Sequence, residues 1–253
     1  MCSRFIASFG VITCLFTMTV MAQTNTAFEW PNGAVAAVSL SFDDARVSQV
    51  EGGTALLNKF DAKATFYVVP SAVQQRLAGW KAAVAAGHEI GNHSMVHPCS
   101  GNFRWARDNA LEDYTLEKMR NELAQANQAL ERLLGVTPTS FGYPCGQTFI
   151  GSGTATQSYV PIIADMFVSG RGWLDEAPND PAYVDMAQIT GMKMDRKSFE
   201  EVVEMLNQAK NEGAWIVLAG HEMGGDDSPA TSLEMLEKLI PYLQDPANGF
   251  CLV

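Results

Sequence analysis

Short apolar runs that alternate with amphipathic stretches of ten or more residues restrict this chain to parallel strand pairing. Each return to a neighbouring strand then needs a helical crossover. Candidate strands lie at 35–42, 64–69, 89–92, 139–143, 165–169, weakly near 185–189, and at 214–219. The clearest helix is predicted from Leu111 to Leu134. Leu116, Met119, Leu123, Ala126, Leu130, Leu133 and Leu134 share one face there, and Gly135 follows as a C-cap. Other helices are expected near 50–59, 71–86, 198–211 and 229–243. Six or seven such units favour a barrel over an open sheet. A chain of 253 residues, 47% hydrophobic, can bury the core of one such domain. Two long irregular stretches, 144–160 and 170–183, mark loops of the kind that carry function. Phe250 to Val253 reads as a truncated last strand without a closing helix.

Residues 1–22 read as a secretory signal peptide. Arg4 gives the positive start, Phe5 to Met21 is largely apolar, and Val20-Met21-Ala22 fits a small-residue cleavage site. The domain proper is then 23–253, exported to a periplasmic or extracellular space, with no membrane partner after cleavage. The formal charge of −11 argues against nucleic acid and anionic membrane as partners. Of five cysteines, Cys2 and Cys14 leave with the leader, so Cys99, Cys145 and Cys251 remain. That odd number permits at most one internal disulfide. If Cys99 and Cys145 line one site they are the natural pair; three free thiols are the alternative.

Asp43 and Asp44 end an apolar run free of charge, and at a strand end neighbouring side chains diverge. One carboxylate can therefore ligate a metal while the other faces a water. His93 and His97 follow the strand at 89–92, and Pro98 turns His97 away from helical geometry. Two imidazoles and a carboxylate bind a first-row divalent metal and leave coordination positions open. His221 ends the strand Val217-Leu218-Ala219-Gly220, where a catalytic acid would sit. His88, in the turn before a strand, reads as structural. In a parallel barrel all these strand ends share one face.

Ser-Phe-Asp-Asp-Ala at 41–45, His-Ser-Met-Val-His-Pro at 93–98, Tyr-Pro-Cys-Gly at 143–146 and Leu-Ala-Gly-His at 218–221 resemble the ordered motifs of the polysaccharide deacetylases, carbohydrate esterase family 4. Ala64-Thr65-Phe66-Tyr67-Val68 and Gly87-His88-Glu89-Ile90-Gly91-Asn92 match between them, and the resemblance covers about residues 35–245. It implies an α/β fold, a distorted (β/α) barrel of about seven strands, that removes N- or O-acetyl groups from an acetylated carbohydrate. Carried over, Asp44, His93 and His97 would hold the metal, most often zinc in this family. Asp43 would be the general base and His221 the general acid. The backbone N–H of Cys145 would stabilise the oxyanion, and Tyr143, Pro144 and Trp173 would meet substrate.

One departure stands out. The family's third motif usually carries an arginine two residues before the proline, to orient the base, and here that position is Gly142. Arg171, expected in the loop after the strand at 165–169, is the replacement. A non-catalytic carbohydrate-binding relative is the rival reading. A non-haem iron oxygenase with the same donor set would leave Asp43 and His221 without roles. Chitin oligosaccharide, peptidoglycan and acetylated xylan all fit as substrates. Trp105, Tyr159 and Trp173 are candidates to stack on pyranose faces.

Overall fold

The computed structural model describes residues 28–225 and 229–253, so the leader at 1–22 lies outside the described residues. Eight parallel strands form the main sheet. They are β1 (Ala36–Asp43), β2 (Thr65–Val68), β3 (Glu89–Asn92), β4 (Ser140–Gly142), β5 (Ser169–Arg171), β6 (Met192–Lys193), β7 (Trp215–Gly220) and β8 (Phe250–Leu252). Their order is β5-β4-β3-β2-β1-β7-β6, with β8 on the first half of β1. β1 lies at the centre and is buried along most of its length, with Ala36, Val38, Leu40 and Phe42 on an apolar face and Ala37, Ser39, Ser41 and Asp43 on the other, toward the polar interior. Its longest ladder runs from Ala37 opposite Trp215 to Phe42 opposite Gly220.

On its outer side β5 makes one isolated parallel bridge, Arg171 with Ile189, where Gly172 N–H donates to Ile189 O (2.8 Å) and Ile189 N–H to Gly170 O (2.8 Å). Among the described residues the edge strands β5 and β6 share no ladder. Helices pack outside: α1 (Thr54–Lys59), α2 (Pro70–Gln75), α3 (Leu77–Ala85), α4 (Leu116–Leu134), α5 (Val160–Met166), α6 (Phe199–Glu212) and α7 (Leu233–Gln244). α4 buries Met119, Leu123, Ala126 and Leu130, and each such leucine contributes roughly 2 kcal/mol. Its start is Thr115, whose side chain accepts from Lys118 N–H, so residues 111–113 form only a short 3₁₀ turn before it. Gly135 (φ 74°) closes it in the left-handed conformation.

Three expectations need correction. Residues 165–169 are not a strand: Pro161 starts α5, which runs through Met166, and the strand begins at Ser169. The weak strand at 185–189 is a 3₁₀ turn (Met186–Gln188), and the paired strand comes later, at β6. The helix near 71–86 breaks in two at Arg76 (φ −135°, ψ 42°). Among the described residues no helix is long and apolar enough to cross a membrane.

Candidate active site

Because the strands are parallel, the C-terminal ends of β1, β3, β4, β5 and β7 open on one face. They surround a cavity of about 760 Å³ lined by Asp43, Asp44, His93, His97 and His221, with Trp105, Cys145 and Trp173 at its walls. Asp43 is the last residue of β1 and is buried. Asp44 takes a left-handed backbone (φ 74°), uncommon for a residue with a side chain, and this turns its carboxylate away from that of Asp43. Ser94 (φ 65°) and His97 (φ 53°) share that conformation, so two of the three candidate ligands, Asp44 and His97, sit on positive-φ backbone.

Asp44 Oδ1 lies 3.3 Å from His93 Nε2 and 3.3 Å from His97 Nε2. The other oxygen, Oδ2, accepts from Arg46 Nη2 at 2.8 Å and Nε at 3.2 Å. His93 Nδ1 is 2.8 Å from Gly142 O. A carbonyl only accepts, so Nδ1 carries the proton and Nε2 offers its lone pair to the cavity. His97 is held by its N–H on Ser94 Oγ (2.9 Å), and Ser94 N–H in turn donates to Asn92 Oδ1 (2.6 Å). Burial and the His93 ring beside it push the His97 imidazole down to about 4, which keeps it neutral. Burial raises the Asp44 carboxyl, but the His93 hydrogen bond and the surrounding imidazoles outweigh it and hold the group well below the usual range. One carboxylate oxygen and two imidazole nitrogens converging on one point suit a divalent cation.

Arg171 Nη2 donates to Asp43 Oδ1, and the pair is buried on both sides. Arg171 Nη1 donates to Gly172 O (2.7 Å), and the guanidinium lies 4.8 Å from the centre of the Tyr67 ring. Arg171 belongs to β5 itself, not to a loop after it, and its register partner on β4 is Gly142. A Cβ at 142 would stand 2.8 Å from Tyr67 Cγ and 3.1 Å from His93 Nδ1. The arginine therefore reaches Asp43 from the strand beside the position that has no room for a side chain.

Two residues of the site were not legible in the sequence. Asp195, just after β6, is buried; its Oδ2 accepts from His221 Nδ1 (2.7 Å), and its Oδ1 accepts from His221 N–H (3.0 Å) and Thr231 Oγ1 (2.8 Å). Burial disfavours the charged imidazole, but the Asp195 bond and the Asp43 and Asp44 charges more than offset it, so His221 titrates above the ordinary histidine range. Trp173 presents its indole edge-on to His221 at 4.7 Å. Gln49, fully buried, donates from Nε2 to Asp43 O (2.7 Å) and His221 O (2.8 Å), tying the ends of β1 and β7 together.

Cys145 (φ 56°) lines the cavity and forms a disulfide with Cys99, with the two Cα atoms 6.1 Å apart; Cys251 is free and buried. Tyr143 and Pro144 do not meet the cavity. The Tyr143 ring is 1% exposed, packs on Phe141 and Tyr159, and donates its hydroxyl to Ala187 O (2.7 Å). Pro144 and Tyr159 are buried as well, so none of the three can stack on a sugar. His88 lies outside the site; its Nδ1 accepts from Ala64 N–H, and burial pushes it down to about 4.

The model of the family described as polysaccharide deacetylase matches residues 20–158. The peptidoglycan-N-acetylglucosamine deacetylase PgdA of Listeria monocytogenes is 28% identical over 127 residues, covering 50% of this chain and 24% of that protein. Chitin deacetylase 1 of Cryptococcus neoformans is 26% identical over 181 residues, covering 71% and 36%. This chain thus spans about a quarter to a third of the length of those relatives. Among solved structures, a family 4 carbohydrate esterase from Streptomyces lividans in complex with acetate superposes with a TM-score of 0.57 at 20% identity, over 87% of this chain and 92% of that one. A family 4 pseudoenzyme from Bacillus anthracis does so with 0.54 at 20% identity, over 88% and 65%. Those two likenesses establish the fold.

Proposed function

The chain belongs to the polysaccharide deacetylase family, and we propose that it is a metal-dependent hydrolase that removes acetyl groups from N-acetylated carbohydrate outside the cytoplasm. The observation that carries the reading is the pairing of two partnered proton-transfer groups with one donor set. Asp43, held by Arg171, and His221, held by Asp195, line the same cavity as Asp44, His93 and His97. A carbohydrate-binding relative without activity would need neither pair.

Asp44, His93 and His97 would hold the ion; two imidazoles and one carboxylate with positions left open suit zinc. Bound there, a divalent ion supplies Lewis-acid polarisation of the acetyl carbonyl and a lowered water pKa. Asp43 takes the proton from the water that attacks the carbonyl carbon, while Arg171 keeps the carboxylate from swinging toward the ligands. The Cys145 N–H donates to the oxygen that gains negative charge. His221, protonated because of Asp195, then donates from Nε2 to the leaving nitrogen as the C–N bond breaks, giving acetate and an amine. An amine leaving group needs that proton more than an alkoxide does. This favours an N-acetylhexosamine, the kind of sugar named for the peptidoglycan-N-acetylglucosamine deacetylase relative. Export is supported by the Cys99–Cys145 bond, since disulfides persist in oxidising compartments. Acetate release from chitin oligosaccharides, peptidoglycan and acetylated xylan is the test. Release from the first two above xylan is expected, and release from none of the three would overturn the reading.

A further inference from the structure

The two oxygens of Asp44 serve different partners. Oδ1 faces His93 Nε2 and His97 Nε2, 3.3 Å from each, while Oδ2 accepts from Arg46 Nη2 (2.8 Å) and Nε (3.2 Å). Asp44 and Ala45 both take left-handed backbone (φ 74° and 55°), and across that turn Arg46 reaches back to the carboxylate two residues before it. The guanidinium is braced in turn. Arg46 Nε lies 3.9 Å from Glu222 Oε1, Glu222 Oε2 accepts from Ser48 Oγ, and Ser48 Oγ accepts from Met223 N–H (3.0 Å). These contacts tie the segment after β1 to the segment after β7, and Arg46 and Glu222 both line the cavity. The Arg46 side chain is 43% exposed, so solvent weakens the pair as a source of folding stability. Its consequence lies at the ligand.

A free carboxylate can ligate a divalent ion through one oxygen or through both. With one edge of the Arg46 guanidinium on Oδ2, only Oδ1 is left to the point shared with the imidazoles. We propose that Arg46 is a positioning residue that holds Asp44 as a one-oxygen ligand. An ion at Asp44, His93 and His97 is thereby denied a second carboxylate bond, and its remaining coordination positions stay open to water and the acetyl oxygen. The hold also fixes the rotation of the carboxylate before an ion arrives, as hydrogen bonds to metal ligands generally do. Arg46 acts through Asp44, not on the substrate. This rests on the metal-dependent deacetylase reading of the site.

The test loads wild type, Arg46→Met and Arg46→Lys with cobalt(II) in place of zinc and compares their visible spectra. Cobalt(II) reports its coordination number, because its visible bands weaken as ligands are added. Arg46→Met keeps an unbranched stem but removes every donor, so its bands should weaken as Oδ2 joins the ion. A crystal structure of that loaded variant should place both Asp44 oxygens on the metal. Arg46→Lys returns one donor to Oδ2 and should restore the wild-type spectrum. With zinc, Arg46→Met should lower kcat roughly tenfold or more with little change in KM, the usual loss when the hydrogen-bond partner of a metal ligand is removed. An Arg46→Met spectrum identical to wild type overturns the proposal, as does an unchanged kcat. The spectra need no turnover. An Arg46-dependent spectrum without acetate release from wild type would uphold the positioning while refuting the deacetylase, and a wild-type protein that takes up no cobalt overturns both.

Discussion

Replacing Arg171 with alanine leaves the Asp43 carboxylate in a barrel interior with its guanidinium partner gone. The structure sets the size of the effect. Both partners are almost completely buried, so solvent cannot compensate, and loss of one member of such a pair costs about 3–5 kcal/mol. The Gly172 carbonyl also loses its donor, and the Tyr67 face loses its cation. For a protein of this size each kcal/mol moves the midpoint by roughly 2–4 °C, so thermal unfolding followed by circular dichroism should show a fall on the order of 10 °C. Arg171→Lys should recover part of that, because the charge returns. Its turnover should remain down by roughly 100-fold, because one ammonium cannot hold Asp43 and Gly172 O together in a fixed plane. Moving the arginine to its register partner should fail: Gly142→Arg in the Arg171→Ala background meets Tyr67 at the first side-chain carbon. An Arg171→Ala protein that unfolds within about 2 °C of wild type, below the shift expected for even 1 kcal/mol, would refute the argument that the pair is a buried ion pair.

His93→Ala and His97→Ala should each lose stoichiometric metal by elemental analysis while the fold survives; retention of wild-type metal content by both would move the site elsewhere. Asp195→Asn removes the charge that holds the His221 proton. Since His221 is raised in the folded protein and must be protonated to act, the basic limb of the pH–rate profile should move to lower pH, and an unmoved limb would separate Asp195 from the acid. Gln49→Met keeps the volume but cuts both hydrogen bonds between β1 and β7. It should lower kcat about tenfold or more with little change in KM, as expected for loosened positioning of base and acid.

The parts of this molecule that were readable from sequence are those where one local pattern carries the information. β1, β2 and β7 carry apolar runs bounded by turn residues, and the motif pairs at 43–44 and 93–97 lie at the ends of β1 and β3. β5 was misplaced because Ser169-Gly170-Arg171 has no apolar signal; its side chains face a polar barrel interior, and the apolar residues before it belong to α5. Arg171 could be named as the partner of Asp43 only because Gly142 left a gap in a known pattern; that it arrives along β5 depends on strand register, which no spacing reveals. Asp195 looks like a surface turn residue after Met192-Lys193-Met194, and only folding brings Thr231 and His221 onto its two oxygens. Tyr143 shows the opposite error: Cys145 of the same motif lines the cavity, but the Tyr143 ring goes into the core against Phe141 and Tyr159.

Metal-titrated acetate release from tetra-N-acetylchitotetraose, run in parallel on wild type and Asp43→Asn, tests the central claim most directly. The metal-stripped wild-type protein should be inactive and should regain activity as one equivalent of zinc is added. Asp43→Asn should take up the same equivalent and release no acetate above background. Full activity of the stripped protein, or substantial acetate release by metal-loaded Asp43→Asn, would contradict the account.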